Sequence, residues 1–189
     1  MNFSFTNLSY KQTGFFSSIV IDYLDQSPKL RPFYDQPGSK QGIEELIKAR
    51  QGNSVNRTVL VEHLNNQYKS ISTSTKVSQN IISLKEKNSF TITTAHQPAL
   101  FTGTLYFIYK IIHAIKLADQ LNTEYPANHF VPVYWMGSED ADLDELGKFY
   151  LSGEKIVWDT KQTGAVGKMN TKGLDKLINR IDGELSVFP

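Results

Sequence analysis

Two short stretches hold most of the residues that could do chemistry. Residues 94–104 read TAHQPALFTGT, and residues 137–146 read GSEDADLDEL. In the first, His96 and Gln97 end a β-branched run, and Thr102-Gly103-Thr104 stands where a long apolar segment begins. Such a helix start exposes unpaired N–H groups and suits an anion. The second stretch places five carboxylates (Glu139, Asp140, Asp142, Asp144 and Glu145) in seven positions. That density could hold Mg²⁺ beside a nucleotide, because the ion takes one or two carboxylates plus phosphates and water. It could instead bind an amine or a hydroxyl-rich substrate through charge-assisted hydrogen bonds. Neither G-x-G-x-x-G nor G-x-x-x-x-G-K-[ST] occurs. Each feature also has a plainer reading: a hydrogen-bonded loop histidine, threonine N-caps, and acids at the positive end of a helix. Lys110 lies two turns into the apolar segment, beyond reach of an anion at its start. Lys161 and Thr163 beside Gly164 read as a turn.

The elements that must position these residues form an α/β pattern. Spacings of three and four residues predict helices in GFFSSIVIDYLDQ, SKQGIEELIKAR (with Ser39 as cap), NRTVLVEHLNNQYKSI and STKVSQNIISLKEK. The breaker-rich SPKLRPFYDQPGS between the first two reads as a loop. SFTITTA (89–95) is a buried strand candidate, residues 104–121 a helix, and HFVPVYWM (129–136) a second strand in which Pro132 implies a bulge or an edge. Strand, helix and strand in this order make a βαβ unit. A right-handed crossover brings the carboxyl ends of both strands and the amino end of the helix to one edge, where open α/β sheets bind ligands. The two chemical stretches therefore meet. The helix is apolar nearly all round, so cover is expected on its outer side, with the N-terminal helices available for it. A hairpin around Gly153-Glu154 and a helix ending near Leu185 follow. Two parts result: a helical segment over 1–86 packing on the core, and the first part of a Rossmann-like domain over 87–189. The meagre sheet and the abrupt ending at SVFP are those of a fragment of a larger protein.

With 40% hydrophobic and 21% charged residues, the composition is that of a soluble globular protein. A net charge of +1 provides no field to attract nucleic acid or an anionic membrane. The absence of cysteine removes disulfides, thiolate metal sites and a cysteine nucleophile, and no residue stands out as a dedicated metal ligand. The first residues do not read as a signal peptide, and the apolar helix carries Lys110, His113, Lys116 and Asp119, too polar for a membrane span. A cytoplasmic location is expected.

HQPALFTGTLYFIYKIIHAIKLA and VPVYWMGSEDADLDEL resemble stretches of the bacillithiol biosynthesis cysteine-adding enzymes, as do TGAVG after the hairpin and the opening KQTGFFSSIVIDYLDQSPKLRPFY. The resemblance runs over almost the whole chain. It implies a ligase that joins cysteine to the amine of glucosaminyl-malate, with ATP and Mg²⁺ as the expected cofactors. It also implies a Rossmann-like core similar to class I aminoacyl-tRNA synthetases, and a coiled coil used for homodimerisation. This chain would be the N-terminal part, inactive alone. Glu139, Asp140 and Asp142 carry over as catalytic candidates, and Gln97, Thr102, Gly103 and Tyr106 as cofactor-binding ones. His96 joins the latter by analogy with the phosphate-binding histidine of the synthetases. The chain departs from the family pattern at Ala95-His96, where Gly-Gln is common, at Ala99 in place of Gly, and at Ala141 in place of a histidine. The rival reading is a non-catalytic nucleotide- or metabolite-binding module acting in an oligomer. A tRNA-linked enzyme is disfavoured by the near-neutral charge.

Overall fold

The computed structural model describes residues 4–186; the readings made of the chain's extreme ends lie outside that range. The chain divides into two compact units, residues 1–55 and 56–189, whereas the change from helical to strand pattern falls near residue 87. The first unit contains helices α1 (Tyr10–Thr13), α2 (Ser18–Leu24) and α3 (Lys40–Gln51), with a 3₁₀ turn at Pro28–Phe33. Ser39 caps α3 as its position suggests, its hydroxyl accepting from Gly42 N at 3.1 Å.

The second unit runs α4 (Arg57–Tyr68), α5 (Thr75–Ser83), β1 (Ser89–His96), α6 (Leu105–Glu124), β2 (His129–Met136), α7 (Leu143–Leu146), β3 (Lys148–Leu151), β4 (Glu154–Val157) and α8 (Leu174–Leu185). Strands β1 and β2 pair in parallel over their full length, from Ser89 opposite His129 to His96 opposite Met136. The parallel sheet and its crossover helix are the expected Rossmann-like core. Pro132 sits opposite Ile92 inside an unbroken register. It is tolerated because β2 pairs on one side only among the described residues, as an edge strand can. β3 and β4 form the separate antiparallel hairpin.

Side chains alternate across a strand, and the contacts show what covers each face. Phe130 packs on Tyr125, and Tyr134 on Phe107, so the even positions of β2 meet α6. Val131 joins Val61, Ile81 and Leu84 in a buried cluster, with Val77 and Val133 packed against it. Helices α4 and α5 therefore cover the opposite face of the sheet. This differs from the expectation that they would cover the outer side of α6. That outer side is exposed at Leu105, Tyr109 and Ile112, while Ala114, Ala118 and Leu121 form the buried stripe. The sheet's second face took the helices because odd-numbered valines of β2 had to be buried too. Arg57 fastens this layer, donating to the carbonyl oxygens of Leu84 at 3.0 Å and Ser89 at 3.2 Å. Among the described residues no helix is long and apolar enough to cross a membrane.

Leu84 is 4% exposed within the cluster. Leu84→Ala is expected to lower stability by about 2–5 kcal/mol, the usual cost of a cavity left by a buried leucine. Equilibrium urea unfolding measures it, and a loss well under that range would show that α5 is not part of the core.

Candidate functional site

The carboxyl ends of β1 and β2 finish level, at His96 and Met136, so the loops that leave them start side by side. Gly137 N donates to His96 O at 3.0 Å, and the Tyr134 hydroxyl donates to the same oxygen at 3.0 Å. Burial raises the Tyr134 pKa. One residue further on, Gln97 Nε2 donates to Asp140 Oδ2 at 3.0 Å. The two stretches read as candidate halves are thus joined by a direct hydrogen bond.

Asp140 also accepts from Asp142 N through Oδ1 at 3.0 Å. Its pKa is held below the ordinary aspartate value, first by the Gln97 amide and then by the backbone N–H of Asp142. It is therefore a carboxylate with its charge fixed in place at neutral pH. Asp142 accepts from Glu145 N at 3.2 Å and caps the short α7, so the plainer capping reading describes its side chain. Glu139 is exposed on the same loop.

Across the edge, His96 is 9% exposed. Its Nδ1 lies 3.0 Å from Gln97 O and its Nε2 lies 2.7 Å from the Tyr106 hydroxyl. Tyr106 is on the first turn of α6, so this contact ties the strand end to the helix start. Lys110 reaches back one turn further than its spacing suggests, placing Nζ 5.5 Å from the Tyr106 ring centroid. Long helical side chains lean towards the N-terminus in this way.

Between strand and helix the backbone is strained. Phe101 and Thr102 both have positive φ, 48° and 70°, followed by Gly103 at 61°. A left-handed conformation costs roughly 1–2 kcal/mol for a residue with a Cβ, and for β-branched Thr102 it is a genuine outlier. The Phe101 ring anchors the turn edge-on against Phe149 of β3, with centroids 4.7 Å apart. Gly103 is required, since a Cβ there would lie 2.8 Å from that of Ala99. Thr104 occupies the N-cap position of α6 without a side-chain capping bond, which leaves the first N–H groups of the helix without that partner. Beside this turn opens a cavity of about 680 Å³. His96, Gly103, Thr104, Glu145 and Lys148 are among its walls, and Leu146, Phe149 and Ile181 give it an apolar lining.

The structure brings His96, Gln97 and Asp140, which the sequence pattern singled out, into one bonded network with Tyr106, which the family resemblance alone suggested, and puts Gly103 on the adjacent cavity wall. The sequence pattern did not point to Lys148 or to the loop at 164–168. Val166 N donates to Asp140 O at 2.8 Å and Gly167 N to Ser138 O at 2.9 Å. A Cβ on Gly167 would lie 2.4 Å from that of Ser138. The closely spaced Gly164 and Gly167 were the available signal. TGAVG entered the family resemblance, but the residues by themselves read as a turn because their partner lies nearly thirty residues earlier in the chain.

Residues 3–188 match the family described as the bacillithiol biosynthesis protein BshC, N-terminal Rossmann-like domain. The chain belongs to the BshC family. A relative from Cytophaga hutchinsonii is 44% identical over 95% of this chain and 34% of its own length. A second, from Flavobacterium psychrophilum, is 39% identical over 95% of this chain and 34% of its own length. A third, from Flavobacterium johnsoniae, is 42% identical over 94% and 34%. All three bear the name "Putative cysteine ligase BshC". The chain therefore spans about a third of the length of these BshC relatives, as expected of a part of a larger protein.

Gln97→Ala is expected to raise the Asp140 pKa towards that of an ordinary aspartate, read by carboxyl NMR titration. A carboxylate held below its unfolded pKa adds stability above the ordinary aspartate range and loses it as pH falls through the lowered folded value. The variant should accordingly lose stability at neutral pH but not at strongly acid pH; an unchanged titration would contradict the bond. Gly167→Ala should cost about 1–3 kcal/mol through overpacking against Ser138, measured by thermal unfolding. A variant as stable as the parent would show that the two loops are free to separate.

Proposed function

We propose that the full-length protein is an ATP-dependent ligase that joins the carboxyl group of cysteine to the amine of glucosaminyl-malate. The Gln97–Asp140 hydrogen bond carries the reading. It couples an anion-suited helix start to a fixed negative charge at one sheet edge, and the BshC relatives' name supports the reaction class. ATP converts the cysteine carboxylate into an acyl group with a good leaving group. The sugar amine then attacks, the C–N bond forms, and the leaving group departs with its electron pair.

The chain's own residues supply charge and position, which dominate such chemistry. Thr102, Gly103 and the first N–H groups of α6 face the phosphates, with Gln97 fixing the loop between them and Asp140. Asp140 accepts hydrogen bonds from the neutral amine or the hydroxyls of the sugar; Glu139 extends the same negative field, and Asp142 keeps the loop in shape. One or two carboxylates, Asp140 first, are sufficient for Mg²⁺ held mainly by phosphate. The protein acts on small molecules in the cytoplasm, and as a homodimer when complete.

Full-length protein supplied with ATP, Mg²⁺, cysteine and glucosaminyl-malate is expected to consume ATP and release the amide, detected by mass spectrometry. No amide from the folded enzyme would overturn the assignment and leave a binding module. Asp140→Asn keeps an acceptor for Gln97 but removes the charge. It should slow turnover by roughly 10²–10³-fold, as loss of one preorganised electrostatic contact does.

A further inference from the structure

We propose that the full-length protein adds a strand to the outer edge of β1, supplied by the chain that follows residue 189. The direction of the backbone groups selects that edge. His129 N donates to Asn88 O and Gly137 N donates to His96 O, so the even-numbered carbonyls at both ends of β1 face β2. Backbone groups alternate sides along a strand, so those of Thr91, Thr93 and Ala95 point away from β2. Among the described residues β1 pairs with β2 alone, and these outward N–H and C=O groups meet no backbone partner. Only the start of the edge is closed, where Arg57 donates to Ser89 O at 3.2 Å. The outer edge of β2 differs, being closed over its first half. Phe130 N donates to Asn122 Oδ1 at 2.8 Å, and Phe130 O accepts from Asn122 Nδ2 at 2.9 Å. A side-chain amide of α6 therefore stands where a strand would pair. Two residues on, Pro132 faces the same way and has no N–H to offer.

The side chains point to the same edge. Thr91 and Thr93 lie opposite Val131 and Val133, on the face that α4 and α5 cover. Val131 is buried there, whereas Thr91, Thr93 and Ala95 are all exposed. The helical layer thus covers β2 and stops short of β1. A strand parallel to β1 on its free side needs a crossover connection. Right-handed crossovers that travel in opposite directions across a sheet leave their helices on opposite faces. Because α6 leads from β1 to β2 on one face, a crossover from β2 past β1 lies on the other, over Thr91, Thr93 and Ala95. This chain spans about a third of the length of its BshC relatives, which leaves ample chain for the strand and its connection. With strands on both sides, β1 becomes the point where strand order reverses, and open α/β sheets bind ligands at the carboxyl end of such a point. His96 and Gln97 stand there, so the loop leaving the added strand forms a further wall of the site. The assignment is independent of the reaction proposed above.

Two measurements on the full-length protein test the strand. Residue-resolved amide hydrogen exchange compares Ile92 and Thr94, whose N–H groups face β2, with Thr91, Thr93 and Ala95. The outward amides are expected to exchange at rates within about tenfold of the inward ones, as members of one cooperative unit do. Outward amides exchanging at open-chain rates beside protected inward ones would overturn the proposal. A photoreactive diazirine amino acid in place of Thr93 then identifies the occupant. The expected cross-link joins Thr93 to a peptide beyond residue 189 of the same copy. Mixing light- and heavy-isotope protein separates the copies. A light–heavy cross-link would make the occupant a second copy, and a link confined to residues 1–189 would show the face covered from within; either result overturns the proposal. Neither measurement reads turnover, so failure of the ligase reading leaves both expectations unchanged.

Discussion

The parallel register of β1 and β2 is the constraint on which the site depends. Because Ser89 is opposite His129 and His96 is opposite Met136, both strands end at the same level and hand their loops to a shared edge. A one-residue slip would turn every side chain to the other face. Val131 and Val133 would leave the α4–α5 layer, Phe130 would leave α6, and Gln97 would no longer face Asp140. Burial on both faces of the sheet therefore enforces the distance at which the chemical groups meet. The core and the site are specified by the same alternation.

How far the sequence could be read follows from the range of the forces involved. The βαβ unit was legible because β-branched runs and an apolar helical stretch are local patterns, and the crossover rule then brings their ends together. Hence His96, Gln97 and the acidic loop could be placed at one edge before any coordinates. The covering of the sheet was not legible. Amphipathic helices show that a face must be buried, but not against which partner, and the cluster around Val61 and Val131 formed on the side opposite α6. The positive φ values at Phe101 and Thr102 were equally hidden, since neither residue type favours them; they arise from a ring contact with Phe149, nearly fifty residues later. Lys148 escaped notice because a strand-starting lysine looks like any other.

Charge is distributed unevenly across the site. One side offers helix N–H groups, with Lys110 reaching back over the first turn, while the cavity wall carries both Lys148 and Glu145. The other side offers Asp140, its ionised form stabilised by Gln97 and the backbone. Gln97 stands between them as a neutral amide. Its N–H₂ serves the acidic loop, while its carbonyl oxygen on the main chain accepts from the His96 ring. An amide suits that place because it joins opposite environments without taking a proton from either.

The near-contact of Gly167 with Ser138 bears on how the site can move. With two backbone hydrogen bonds and no room for a Cβ between them, the acidic loop and the segment at 164–168 are interlocked and travel as one body. The strained turn at Phe101–Thr102 is held differently, by the ring contact with Phe149 and by Gly103 N donating to Leu100 O at 2.9 Å, and its left-handed residues would fall in energy if released. The edge of the sheet thus joins one side fixed by interlocked backbones to another that stores backbone strain.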